Sequence, residues 1–150
     1  MDSSYKDALK LSTQVAEYFK SNKSDTLRDY DADLMASYMR ESNRITASLM
    51  KVMTWCLIQK GVQCGEITRE ESLKTNFKNE DLYDQSIEGE LEKYPENFAN
   101  FIAEAQELYL RTERLDRLLH EEFQSTVNNP VHDLLGKIAK ESGSGENEIN

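Results

Sequence analysis

The stretch Asp31–Gly61, DADLMASYMRESNRITASLMKVMTWCLIQKG, decides the fold. Within it Leu34, Tyr38, Ser42, Ile45, Leu49, Val52 and Cys56 advance by three or four residues, the spacing that brings side chains to one face of an α-helix. Asp31 suits the N-cap, where a carboxylate accepts from an unpaired backbone N–H, and Gly61 suits the left-handed position that closes a helix. The helix so bounded is about 30 residues or 45 Å long. A second stripe, Met35, Met39, Thr46, Met50, Met53 and Leu57, runs beside the first, so the apolar arc is about 160° wide against the usual 100° or so. A helix this apolar must touch two neighbours.

Upstream, Ser4 is a candidate N-cap with Asp7 in the first turn, and Tyr5, Leu9, Ser12, Val15, Ala16 and Phe19 recur at helical spacing, predicting a helix over 4–20. The polar, aperiodic residues 21–30 read as a surface loop. Downstream, Thr68-Arg69-Glu70-Glu71 fits a capping box and predicts a helical turn over 69–74. Residues 75–94 carry only a sparse pattern (Phe77, Leu82, Tyr83, Ile87, Leu91) broken by Gly89, and read as a partly ordered connector. Pro95 at N1 then opens a third long helix, with Phe98, Phe101, Ile102, Ala105, Leu108, Tyr109, Thr112, Leu115, Leu119 and Phe123 along one side. Its outer face carries Glu104, Glu107, Arg111 and Arg114 as a ladder of surface ion pairs.

The expected architecture is all-α: a three-helix bundle domain over 1–123, with two long helices and one shorter, followed by a flexible tail over 124–150. The tail opens on a breaker-rich hinge, Ser125 to Pro130. It holds one short amphipathic motif, 131–138, with Val131, Leu134, Leu135 and Ile138 at i, i+3, i+4 and i+7. Composition agrees. The chain has 150 residues, six Gly and two Pro, too few turn residues for an all-β fold.

The formal charge of −10 falls wholly in residues 68–150, and the densest run is Glu80, Asp81, Asp84, Glu88, Glu90, Glu92 and Glu96 against Lys93 alone. Nucleic acid is a poor partner for such a chain, because phosphate binding relies on Lys and Arg displacing counterions. No apolar run approaches the roughly 18 residues that span a bilayer, and no basic segment followed by an apolar one opens the chain, so no membrane is expected and the location is read as cytoplasmic. Cys56 and Cys64 match no zinc or redox spacing and read as reduced.

No catalytic machinery is legible. The two histidines, His120 and His132, pair with no nucleophile, and Asp116 with His120 lacks the further ligands of a metal site. Gly61 and Gly65 form no phosphate loop, and Glu41 and Glu66 read as isolated carboxylates. No enzyme, cofactor or metal is expected.

Interaction surfaces are better candidates. The shorter first helix leaves about a third of the groove between the two long helices uncovered; either residues 66–94 fold over it or a second subunit does, and homodimerisation is the favoured reading. Arg40, Arg44 and Lys51 project away from the core stripe, as a solubilising face or as a strip for an acidic partner or the chain's own acidic segment. Trp55 lies outside the apolar arc too, and a partly exposed Trp near cations suits an interaction anchor. The 131–138 motif suits docking of a tethered helix into a groove.

The string Glu41-Ser42-x-Arg44-x-Thr46-x-x-Leu49-Met50-x-Val52-x-x-Trp55-x-Leu57-x-Gln59-x-x-Val62-x-x-Gly65-Glu66-Ile67 resembles the signature of the RcdA family of alphaproteobacteria, the regulators of CtrA degradation. Leu108-Tyr109-x-Arg111-x-x-Arg114-Leu115-Asp116-x-Leu118-Leu119 adds a second match, and together the likeness spans about residues 5–120. The resemblance implies a dimeric three-helix adaptor with a disordered tail, concentrated at a cell pole, which helps to deliver CtrA and related cargo to the ClpXP protease. A CpdR-like response regulator would prime the protease, and a further adaptor could bring cargo. Arg44, Trp55, Gln59, Glu66, Arg111 and Arg114 are then the candidate interaction positions, beside the tail motif. The alternative is a sequestering module that inhibits a regulator without proteolysis.

Overall fold

A computed structural model describes residues 2–21, 28–75, 77, 82–83, 91–128 and 137–138. Among the described residues the elements are α1 (Asp2–Ser21), α2 (Ala32–Gln63), α3 (Arg69–Lys74) and α4 (Glu96–Val127), with a 3-10 turn at Leu91–Lys93 before α4. No strand occurs among the described residues. The chain divides into two compact units, Met1–Arg114 and Leu115–Asn150.

In the first unit α1, α2 and the first part of α4 meet around Phe98, whose side chain is fully buried. Tyr38 of α2 lies 4.5 Å from it between ring centroids, Tyr94 5.2 Å, Tyr18 of α1 6.1 Å and Phe19 6.3 Å. Such stacked, tilted and edge-on pairs add to the burial of apolar area, the main driving force of folding. Ile45, Leu49, Val52 and Cys56 of α2 and Ile102, Ala105, Leu108 and Tyr109 of α4 complete the core, as their spacing predicts.

Several helix boundaries follow from local chemistry. The Asp31 carboxylate accepts from the Leu34 backbone N–H at 2.7 Å, and Thr68 and Glu71 close a reciprocal capping box at 3.1 Å each way. Others differ from the sequence reading. Gly61 does not end α2: the helix continues to Gln63, and the residue with positive φ is Gly65, at +78°. Gly61 is instead a close-approach position, since a Cβ there would stand 2.7 Å from Ile67 Cδ1. Helix α4 begins at Glu96, one residue after the position expected for its first turn. Ser4 is no cap, because α1 already starts at Asp2.

The buried face of α1 is also rotated from the expected stripe. Ser4, Ala8, Leu11, Val15 and Tyr18 point inward, whereas Leu9 is 49% exposed. Small Ser4 and Ala8 take buried positions, a choice that hydropathy does not reveal.

In the second unit α4 runs to Val127, past the Ser125 where the hinge was expected to start, with Leu115, Leu119 and Phe123 half-buried and Leu118 exposed. His120 Nδ1 lies 2.8 Å from the Asp116 carbonyl oxygen. Val131, Leu134 and Leu135 lie outside the described residues, and Ile138 is exposed.

Candidate functional site

Helix α2 buries a wide arc, as predicted, but on the other side. Met39, Met50 and Leu57 of the second stripe are 59%, 61% and 54% exposed. The arc widens instead toward Trp55 and toward polar residues: Ser37, Glu41, Ser48 and Gln59 are all buried.

Most of the buried polar groups on this side are paired. Ser37 Oγ and the Tyr94 hydroxyl lie 2.7 Å apart, and Ser48 Oγ and the Tyr83 hydroxyl 2.6 Å. Ser48 also donates to the Arg44 carbonyl at 2.7 Å. A serine has a single O–H, so Tyr83 is the donor in its bond to Ser48. Gln59 Oε1 accepts from Arg69 Nη1 of α3 at 2.7 Å. Buried polar atoms cost about 1–3 kcal/mol when left unpaired, so these bonds decide whether this side of α2 is buried or wet.

The anchors define a strap. Arg69 meets α2 at Gln59, Tyr83 meets it at Ser48, and Tyr94 meets it at Ser37, so these three anchors take descending positions along α2. Phe77 is buried and lies tilted against the Tyr109 ring of α4 at 5.0 Å, and Tyr83 is 5.1 Å from the same ring. Of the connector, Phe77, Tyr83 and Tyr94 are the described residues whose side chains pack against the long helices.

Arg44 belongs to this arrangement. Its Nη1 lies 2.8 Å from Glu41 Oε1, with side chains 14% and 6% exposed, and its guanidinium carbon stands 5.7 Å from the Tyr83 ring centroid. Burial pushes the Tyr83 hydroxyl above its ordinary value, Ser48 and Arg44 pull it down, and Glu41 pushes it up. Two charged side chains on this row have unsatisfied buried atoms: Glu41 Oε2 and Lys51 Nζ, neither with a hydrogen-bond partner.

The candidate positions therefore divide. Trp55, expected to be partly exposed, is 5% exposed, and Gln59 is buried against α3; both hold the bundle together. Arg44 is paired and covered rather than part of a solvated strip, and Glu41 is its partner, not an isolated carboxylate. Arg111 reaches across to α1, with Nη2 3.2 Å from Asp7 Oδ2 and 3.4 Å from Ser4 Oγ, instead of serving only a ladder along α4. A groove of about 310 Å³ opens beside that bridge, lined by Lys10, Gln14, Glu104 and Glu107 among others. Glu66 and Arg114 are exposed.

The tyrosine anchors escaped the sequence reading, although a signal existed. Ser37 and Ser48 are eleven residues apart, and so are Tyr83 and Tyr94. Among the described residues no group of three His, Cys, Asp or Glu side chains is placed to hold a metal, and no helix is long and apolar enough to cross a membrane. Cys56 is buried and Cys64 exposed, and they are not joined to each other.

Comparison with known proteins agrees with this architecture. The crystal structure of RcdA from Caulobacter crescentus CB15 matches with a TM-score of 0.62 and 24% sequence identity, over 79% of this chain and 88% of that one. No curated protein matches the sequence. A family described as a protein of unknown function (DUF1465) matches residues 1–141. The chain thus belongs to the DUF1465 family, which is the RcdA family.

Proposed function

We propose that this protein is a non-enzymatic, dimeric adaptor that helps to deliver CtrA and related regulators to the ClpXP protease. Its setting is the cytoplasm, with concentration at a cell pole, and its partners are ClpX, a CpdR-like response regulator and cargo or a further adaptor. Family membership supports the reading, and one observation carries it: Met39, Met50 and Leu57 stand exposed on a single side of α2. Methionine's flexible, polarisable side chain suits adaptable protein contacts, and a twofold pairing is the commonest way to cover such a stripe.

The adaptor acts through effective concentration. Tethering cargo beside the unfoldase turns a weak encounter into a nearly intramolecular one, without any chemistry of its own. Glu66, Arg114 and the 131–138 motif are proposed as further contact positions.

The test is reconstituted degradation of a CtrA-type regulator by ClpXP and the priming regulator, with and without this protein. Acceleration is expected. An unchanged rate across candidate cargos removes the adaptor reading, and slowed degradation points to sequestration. Deleting 124–150 should abolish delivery while sparing sequestration by the bundle.

A further inference from the structure

Helices α1 and α4 pack in opposite directions: Arg111 reaches Asp7 near the start of α1, and Phe101 meets Tyr18 near its end. The groove of about 310 Å³ between them therefore has two chemically different ends. At one end Arg111 and Lys10 face Asp7, and at the other Glu104 and Glu107 face Gln14, over a floor of buried Leu11 and Leu108. Glu107 stands one turn before Arg111, the usual place for an ion-pair partner, yet Arg111 turns across to α1. Lys10, Gln14, Glu104 and Glu107 have no hydrogen-bond or ion-pair partner among the described residues. Arg111 itself is half satisfied. Asp7 Oδ2 accepts from Nη2 at 3.2 Å, whereas Nε, beside Nη2 on the same edge of the guanidinium, is buried without an acceptor. That edge is shaped for both oxygens of one carboxylate.

We propose that the α1–α4 groove is a docking site for a short extended segment of a partner protein that carries an acidic and a basic side chain two or three positions apart. The charges choose this occupant. A wholly acidic segment meets Glu104 and Glu107, and a wholly basic one meets Lys10 and Arg111, so each is repelled at one end. An apolar helix gains little, because the floor leucines are only 5% exposed already. Along α4, Glu107 lies about 6 Å and Glu104 about 10 Å from Arg111, a span that an extended chain covers in two or three residues. The visiting carboxylate takes the Nε–Nη2 edge of Arg111 with Lys10 beside it, while the exposed Asp7 turns to solvent, and the visiting cation rests between Glu104 and Glu107. The groove is separate from the exposed Met39, Met50 and Leu57 stripe and requires neither protease nor cargo, so its failure leaves the adaptor reading intact.

The probes are capped peptides in which one glutamate and one lysine are separated by a run of glycines from none to six, titrated at millimolar concentration into the isotope-labelled full-length protein and read by amide chemical shifts. Shifts should concentrate in residues 7–14 and 104–111, and binding should be tightest with one or two intervening glycines. Peptides of the same length with two glutamates or two lysines should bind about fivefold more weakly. Asp7→Asn, which removes the competing carboxylate, should tighten binding of the mixed peptide about threefold, and adding Arg111→Lys, which keeps the charge but loses the fork, should abolish that gain. Glu104→Gln with Glu107→Gln changes exposed side chains alone and should weaken binding about fivefold, so it carries the test where a change at Arg111 loosens α1 by circular dichroism. Affinity that ignores the spacing of the two charges overturns the proposal, as does a two-glutamate or two-lysine peptide that binds equally well. So do shifts that fall elsewhere on the chain, an absence of shifts, or binding unchanged by the loss of Glu104 and Glu107.

Discussion

Tyr83 and Ser48, 35 residues apart in sequence, share a 2.6 Å hydrogen bond that fastens the α3–α4 connection to α2. Tyr94 and Ser37 repeat the arrangement at 2.7 Å across 57 residues. The two serines stand eleven residues apart on α2, so the two bonds are separated by about 16 Å along the helix.

Removing one member of the pair should have unequal effects. Tyr83→Phe leaves Ser48 bonded to the Arg44 carbonyl and should cost about 1 kcal/mol. Ser48→Ala leaves the Tyr83 hydroxyl half-buried and unpaired, with an expected cost of about 1–3 kcal/mol. Urea unfolding of both single variants and the double variant gives the coupling; a coupling of zero contradicts the bond.

The Arg44–Glu41 pair should be harder to lose. Arg44→Met strands a buried carboxylate and is expected to cost about 3–5 kcal/mol, whereas the double change Glu41→Leu with Arg44→Met should be markedly milder. Thermal melts rank the two variants, and an Arg44→Met variant as stable as wild type refutes a covered pair.

Two glycines separate conformational from steric demand. Gly65 has φ of +78° with nothing near its Cβ position, so Gly65→Ala should destabilise by about 1–2 kcal/mol through backbone strain. At Gly61 a new methyl meets Ile67 Cδ1, the movable end of a side chain, while the helix gains about 1 kcal/mol of propensity. Gly61→Ala should therefore be the milder change, and denaturant midpoints decide it.

Alkaline pH should loosen the aromatic core. Burial raises the Tyr38 hydroxyl from 10 to about 12, so the folded state holds its proton more tightly than the unfolded chain. Its contribution to stability is complete below pH 10 and is lost as pH rises through 12. Tyrosinate absorbance and melts between those limits should show the loss, and Tyr38→Phe should flatten it.

Dimerisation through the methionine stripe predicts that Met50→Glu leaves the melting temperature near wild type while halving the mass seen by light scattering to the 17.3 kDa of one chain. A wild-type protein that already scatters as a single chain removes the dimer.

Periodicity and capping chemistry are local, so the sequence by itself determined two long helices and a shorter one, the Asp31 cap, the Thr68–Glu71 box and the core stripes of α2 and α4. The signature string of α2 likewise pointed to the family to which the chain belongs. What only the tertiary structure decided is which way the wide arc of α2 turns. Hydropathy favoured Met39, Met50 and Leu57, but the protein buries Ser37, Glu41, Ser48 and Gln59 instead. A polar side chain can be buried at small net cost once a partner satisfies it, and here the partners are Tyr94, Arg44, Tyr83 and Arg69. Three of those four come from other segments of the chain, where no helical period can point to them.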